Sequence, residues 1–153
     1  MRIDLLEQYL TNWLQNHDYE LEARVCENEF FYSDPLSLIA VSPIGTNLDH
    51  YFLDFIALNN CTLTFSNAFI PMFLHEVGHS ETVDDFSEEE WEEYRDFEHS
   101  FTNLNMDNPF LQFRYMSHPI EFAATSWAIQ YMNTHKQEIE EMAEALQEIF
   151  QKV

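Results

Sequence analysis

His75, Glu76 and His79 stand in the run F-L-H-E-V-G-H-S, residues 73–80. On an α-helix, residues four apart project from one face, one turn apart, so both imidazoles can reach a single metal ion. Glu76 lies one residue further round, where a carboxylate can take a proton from water at the open coordination position. Zinc binds imidazole nitrogen and makes water acidic enough to lose a proton near neutral pH. Composition alone gives roughly 0.04 such H-E-x-x-H matches in a chain of this make-up, so the motif outweighs chance. The bland alternative is a core helix with two polar histidines at its rim.

A catalytic zinc site takes three protein ligands and keeps one place open. Two residues are candidates for the third. Asp85 lies six residues after His79, the metzincin spacing, which also needs glycine three residues after the second histidine. Thr82 occupies that position, and a β-branched residue is poor at positive φ. Glu121 opens the run E-F-A-A-T-S-W-A, where a second helix could present a carboxylate to the histidine pair. Ala123, Ala124 and Ala128 would let that helix approach closely. Thr82 favours Glu121 over Asp85, although an acid at a helix N-terminus also needs no further reason. Gly78 is one of two glycines in the chain. Glycine inside a helix costs about 1 kcal/mol relative to alanine, so its place in the motif suggests that something packs close.

The pair H-E-V-G-H-S-E-T-V-D-D-F and E-F-A-A-T-S-W-A-I-Q-Y-M resembles the gluzincin-type metallopeptidases that include the catalytic domain of anthrax lethal factor and the clostridial proline-specific endopeptidases. A looser similarity extends to ImmA-type zincins. The resemblance covers about residues 67–133 and is sharp at 75–79 and 121–124. It implies a zincin-like fold, zinc held by His75, His79 and Glu121, and Glu76 as general base. The family also has a tyrosine seven residues before the ligand glutamate that stabilises the developing oxyanion. That position is Arg114 here, with Tyr115 one step away and His118 as a substitute donor. A second family glutamate falls at Ala124 or Thr125.

The elements that would position these groups follow from periodicity. Residues 2–17 place Leu5, Leu6, Tyr9, Leu10, Trp13 and Leu14 at helical spacing. Alternation of Leu21, Ala23 and Val25 with Glu22, Arg24 and Cys26 predicts a half-exposed strand. A buried strand is expected at 36–42 and two further strands at 51–58 and 61–66, with a turn at Pro43 and Gly45. Pro71 fits a helix only in its first turn, so the motif helix should start near 68–70. Ser87 and Glu90 form a capping-box pattern for a helix over 87–101. Residues 102–116 are ambiguous, with Pro109 as a break. Ser117 is the expected cap of a helix over 117–133, and Thr134 with Gln137 that of a last helix carrying Ile139, Met142, Ala143, Leu146, Ile149 and Phe150. The expected architecture is α+β: one zincin-like domain over 1–153, with an N-terminal helix, a small mixed sheet of about four strands, the motif helix and C-terminal helices.

Composition narrows the function. With 153 residues, 46% of them hydrophobic, the chain can bury a core. A formal charge of -22 repels nucleic acid and membrane surfaces and favours basic partners. Residues 81–100 concentrate acids around Trp91 and Tyr94; they read either as a solvated helix face with the aromatic residues inward or as a wall that draws in cationic peptide. His17, His50, His99 and His135 read as surface or packing residues. Cys26 and Cys61 fall in expected strands and do not make a disulfide framework. No apolar run reaches membrane-span length and the N-terminus lacks a leader pattern, so a cytoplasmic protein is expected. The strand C-T-L-T-F-S before the motif helix could pair with an extended substrate. The expected activity is zinc-dependent peptide hydrolysis, with Glu76 as general base and Tyr115 as oxyanion donor. The rival is a non-catalytic acidic binding or inhibitor protein on the same scaffold, for example a nucleic-acid mimic.

Overall fold

A computed structural model describes residues 1–46, 48–59 and 68–152. Helix α1 (Ile3–Asn16) buries Leu6, Leu10, Trp13 and Leu14, as its spacing requires. The strands are β1 (Glu22–Val25), β2 (Phe31–Ser33) and β3 (Leu38–Val41). The sheet order is β1-β3-β2, with β1 parallel and β2 antiparallel to the central β3. Helix α1 seals the outer edge of β1. Thr11 Oγ1 accepts the Ala23 amide at 3.0 Å and Glu7 Oε1 the Val25 amide at 2.9 Å. Strand β2 forms the other edge.

Residues 51–58, expected as a strand, form helix α2 (Asp49–Leu58). Their aromatic and β-branched content suggested β structure, but the spacing is helical. Phe52 and Ile56 are buried one turn apart, and Tyr51 stacks on Phe55 at 5.7 Å. At the helix start, Asp49 Oδ1 accepts the Thr46 amide at 3.1 Å. The strand expected at 61–66, with Cys61, lies outside the described residues. Cys26 falls one residue beyond β1. The described residues therefore give a three-stranded sheet instead of about four strands, and β2 lies in a stretch that no sequence pattern flagged.

Helix α3 (Phe69–Thr82) carries the histidine motif, with Pro71 in its first turn and every residue from Phe69 to His79 buried. A short 3-10 turn (Val83–Asp85) leads to α4 (Glu88–His99), whose capping box forms as the sequence indicated. Residues 109–116 resolve as α5 (Pro109–Met116), capped by Asn108. Helix α6 (Pro119–Thr134) is capped by His118, not Ser117: the His118 Nδ1 accepts the Ile120 amide at 3.2 Å. The capping box expected for α7 (Lys136–Gln151) does not form, because the Thr134 hydroxyl donates back to the Gln130 carbonyl at 2.8 Å. Its apolar stripe is nevertheless inward, with Ile139, Met142, Ala143, Leu146 and Ile149 buried. No helix among the described residues is long and apolar enough to cross a membrane.

The main core joins α1, the sheet, α3, α6 and α7 around Phe73, Leu74 and Val77. A second cluster of Phe52, Ala68, Met72 and Met116 packs α2 and α5 against the start of α3. Between α3 and α6 the backbones meet at Gly78, where an added Cβ would lie 2.5 Å from the Ala124 carbonyl oxygen. Gly78→Ala should gain about 1 kcal/mol of helix propensity. It should lose more to overpacking, at the upper end of about 1–3 kcal/mol, because a backbone carbonyl cannot rotate away. The expected net loss is about 2 kcal/mol, read from the denaturant midpoint. An unchanged or higher midpoint would contradict the contact.

Candidate metal centre

His75 and His79 sit one turn apart on α3, and Glu121 lies in the first turn of α6. All three are buried, at 4%, 8% and 4% exposure, which demands partners for their polar atoms. They find them in one another. His79 Nε2 is 2.9 Å from Glu121 Oε1, and His75 Nε2 is 3.4 Å from Oε2. The three ligand-type atoms lie within 4.8 Å of one another. The imidazoles stand nearly perpendicular, 4.6 Å between centroids, and Phe52 packs edge-on against His75. The Thr125 hydroxyl, one turn beyond Glu121, meets His75 Nδ1 at 2.9 Å. With Nδ1 so engaged, Nε2 is the nitrogen that faces the centre.

Electrostatics follow from this geometry. Burial opposes charge on Glu121, but His79 and the hydrogen bonds from both imidazoles outweigh it and hold the carboxyl below its ordinary range. Burial likewise opposes the charged form of His79, yet the Glu121 carboxylate raises its pKa to about 9. Glu76 is pushed upward by burial, against the pull of His79 and His75. It is 7% exposed and lines the same cleft.

These groups line a cleft of about 1120 Å³ bounded by β2 on one side and α4 on the other. Tyr115 lines it too, its hydroxyl donating to Glu98 Oε2 at 2.8 Å. His118 packs between Tyr94 and Phe97 and caps α6, and is not part of the cleft lining. Arg114 is exposed over the Phe101 ring. Asp85 is also exposed and stands apart from the histidine–glutamate group. The chain leaves α3 through Thr82 at φ -106° without the left-handed turn that the Asp85 arrangement needs. His17 stacks on Trp13, His135 stacks on Tyr131, and His50 and His99 are exposed.

Two functional contacts escaped the sequence reading. Tyr94, taken there as an inward aromatic residue, places its hydroxyl 3.0 Å from Glu121 Oε1 and 3.0 Å from the Tyr115 hydroxyl. Thr125, seen as a departure from a glutamate pattern, is the partner of His75. A buried tyrosine in an otherwise exposed helix was the available signal, since its hydroxyl must bond to something.

No protein-family model matches the chain, and comparisons with curated proteins and with solved structures give no significant match. The centre is therefore judged on its chemistry. Two imidazole nitrogens and one carboxylate converge from two helices, a donor set that could hold a metal ion. A proton on His79 competes with the metal for Nε2, so affinity should fall as pH drops below about 9. Near pH 7 the chain should take up one zinc ion that a chelator removes. Glu121→Ala should weaken binding by more than ~100-fold, beyond the usual effect of losing an outer partner, while Asp85→Ala should leave it unchanged. Elemental analysis and chelator competition check this; retention by Glu121→Ala, or loss by Asp85→Ala, would contradict it.

Proposed function

We propose that the protein is a zinc-dependent peptidase of gluzincin type, in line with the lethal-factor-like motif pair. The reading is carried by one observation: the His75–His79–Glu121 group opens on the same cleft as Glu76, a buried carboxylate. His75, His79 and Glu121 would hold the zinc ion, which would supply Lewis acidity toward a water and a carbonyl. Glu76 takes the proton from the attacking water and returns it to the leaving amine nitrogen. Its burial favours the neutral form and so makes the carboxylate a stronger base than an exposed one. Tyr115, releasing Glu98, turns its hydroxyl to donate to the carbonyl oxygen as negative charge develops. Burial, reinforced by the Glu121 and Glu98 carboxylates, keeps that phenol protonated.

The substrate is an extended, basic peptide. Among the described residues strand β2 has no second strand beside it and borders the cleft, whereas the β1 edge is occupied by α1 side chains. An extended chain can add to such an edge through backbone hydrogen bonds. Glu88, Glu92 and Glu98 of α4 and Glu29 and Asp34 beside β2 line the cleft. Arg95 is the one arginine or lysine in that lining among the described residues and makes no ion pair there. The low-dielectric walls focus this uncompensated negative potential on whatever enters.

Glu76→Gln should keep zinc and fold, and lower turnover by about 100- to 10,000-fold. Zinc stoichiometry, melting temperature and cleavage of a peptide library test it. Wild-type protein that holds zinc and cleaves nothing would end the hydrolytic reading. Peptides with Lys or Arg near the cut should react faster than acidic ones, by a margin that shrinks with salt. Neutralising Glu88 and Glu92 to Gln should reduce that preference, whereas Glu89→Gln with Glu93→Gln, outside the cleft lining, should not. Equal loss from both pairs would assign the effect to net charge.

A further inference from the structure

Helix α4 is acidic and mostly exposed, and Tyr94 is its one buried side chain, at 6% exposure. A phenylalanine would dock the helix as well, without burying a hydroxyl. An unbonded buried hydroxyl costs about 1–3 kcal/mol, so the group it bonds matters. Tyr94 Oη lies 3.0 Å from Glu121 Oε1, 3.0 Å from Tyr115 Oη and 3.1 Å from Glu98 Oε2. A phenol has one proton. Tyr115 has a shorter bond, 2.8 Å, to Glu98. If Tyr115 serves Glu98 and Tyr94 serves Glu121, each carboxylate receives one phenol and neither proton is shared.

Glu121 Oε1 then has two close partners, His79 Nε2 at 2.9 Å and Tyr94 Oη at 3.0 Å. Oε2 has only the longer 3.4 Å contact with His75 among the described residues. We propose that Tyr94 is a positioning residue for the metal centre: its hydroxyl fixes the orientation of the Glu121 carboxylate through Oε1. Outer partners of this kind orient a ligand and tune its affinity. The orienting group thus comes from α4, a third helix, and not from the two that supply the ligands. The inference rests on the metal-site reading, and the test separates the two.

The test uses the full chain and measures Zn²⁺ affinity by chelator competition, the visible spectrum with Co²⁺, and the metal-free melting temperature. Tyr94→Phe should weaken Zn²⁺ binding about 10- to 100-fold and change the Co²⁺ spectrum. Tyr131→Phe, whose hydroxyl donates to Glu138 Oε2 at 2.8 Å outside the centre, should change neither. In a Glu121→Ala background, Tyr94→Phe should have no further effect on residual binding, because the hydroxyl acts through that carboxylate. Wild-type protein that binds no Zn²⁺ would overturn the metal site itself. Wild-type binding with an unchanged Tyr94→Phe affinity and spectrum would overturn only the role of Tyr94. So would a Tyr94→Phe chain that fails to fold, since the hydroxyl would then be structural.

Discussion

The backbone of α6 can reach α3 because residue 78 has no side chain. An alanine Cβ there would stand 2.5 Å from the Ala124 carbonyl oxygen, well inside contact distance. Two histidines come from one helix, and Glu121 and Thr125 from the other. Their separation is set by how closely the two backbones approach, with buried Ala124 and Ala128 on the α6 side. Interiors packed at crystal-like density do not absorb such shifts gradually. A glycine that weakens the helix locally is thus the condition for bringing a carboxylate within 2.9 Å of His79.

That contact would be unfavourable without the surrounding polar network. A carboxylate and two imidazoles are removed from water between apolar layers, a desolvation penalty that attraction offsets only with good geometry. The network is connected: Thr125 on His75, both imidazoles on Glu121, Tyr94 on Glu121, and Tyr115 on Glu98. Connected networks of this kind hold each member in one orientation. Metal ligands must already point at a common place, and here the protein's own hydrogen bonds impose that direction.

Much of this was legible in the residues. The spacing of His75 and His79, the first-turn Pro71 and the Ser87–Glu90 cap depend on local geometry, and each formed as read. Glu121 was legible because Thr82 argued against the competing turn and the alanines beside Glu121 allowed close packing. Residues 51–58 were misread since Tyr, Phe and Ile suit strands and helices alike when buried; only Phe52 and Ile56 meeting the core one turn apart decides the matter. Ser117 lost its capping role to His118, and Thr134 turns its hydroxyl back into α6, at boundaries where one-residue shifts cost little. Tyr94 could be recognised as inward-facing, but its partner lies 27 residues away, a long-range pairing that no local pattern encodes.

The two sheet edges are protected in different ways. Strand β1 is closed by the Thr11 and Glu7 side chains. Strand β2 has no second strand beside it among the described residues, with Glu29 and Asp34 at its approaches. If two copies met edge to edge there, they would bring these carboxylates together on top of a charge of -22 each. Like charge is one means by which proteins discourage such pairing. Electrostatics would thus make the edge a filter: repulsive toward its own kind and permissive toward a chain of opposite sign. High salt, by screening that repulsion, is the condition under which self-assembly through β2 would become a hazard.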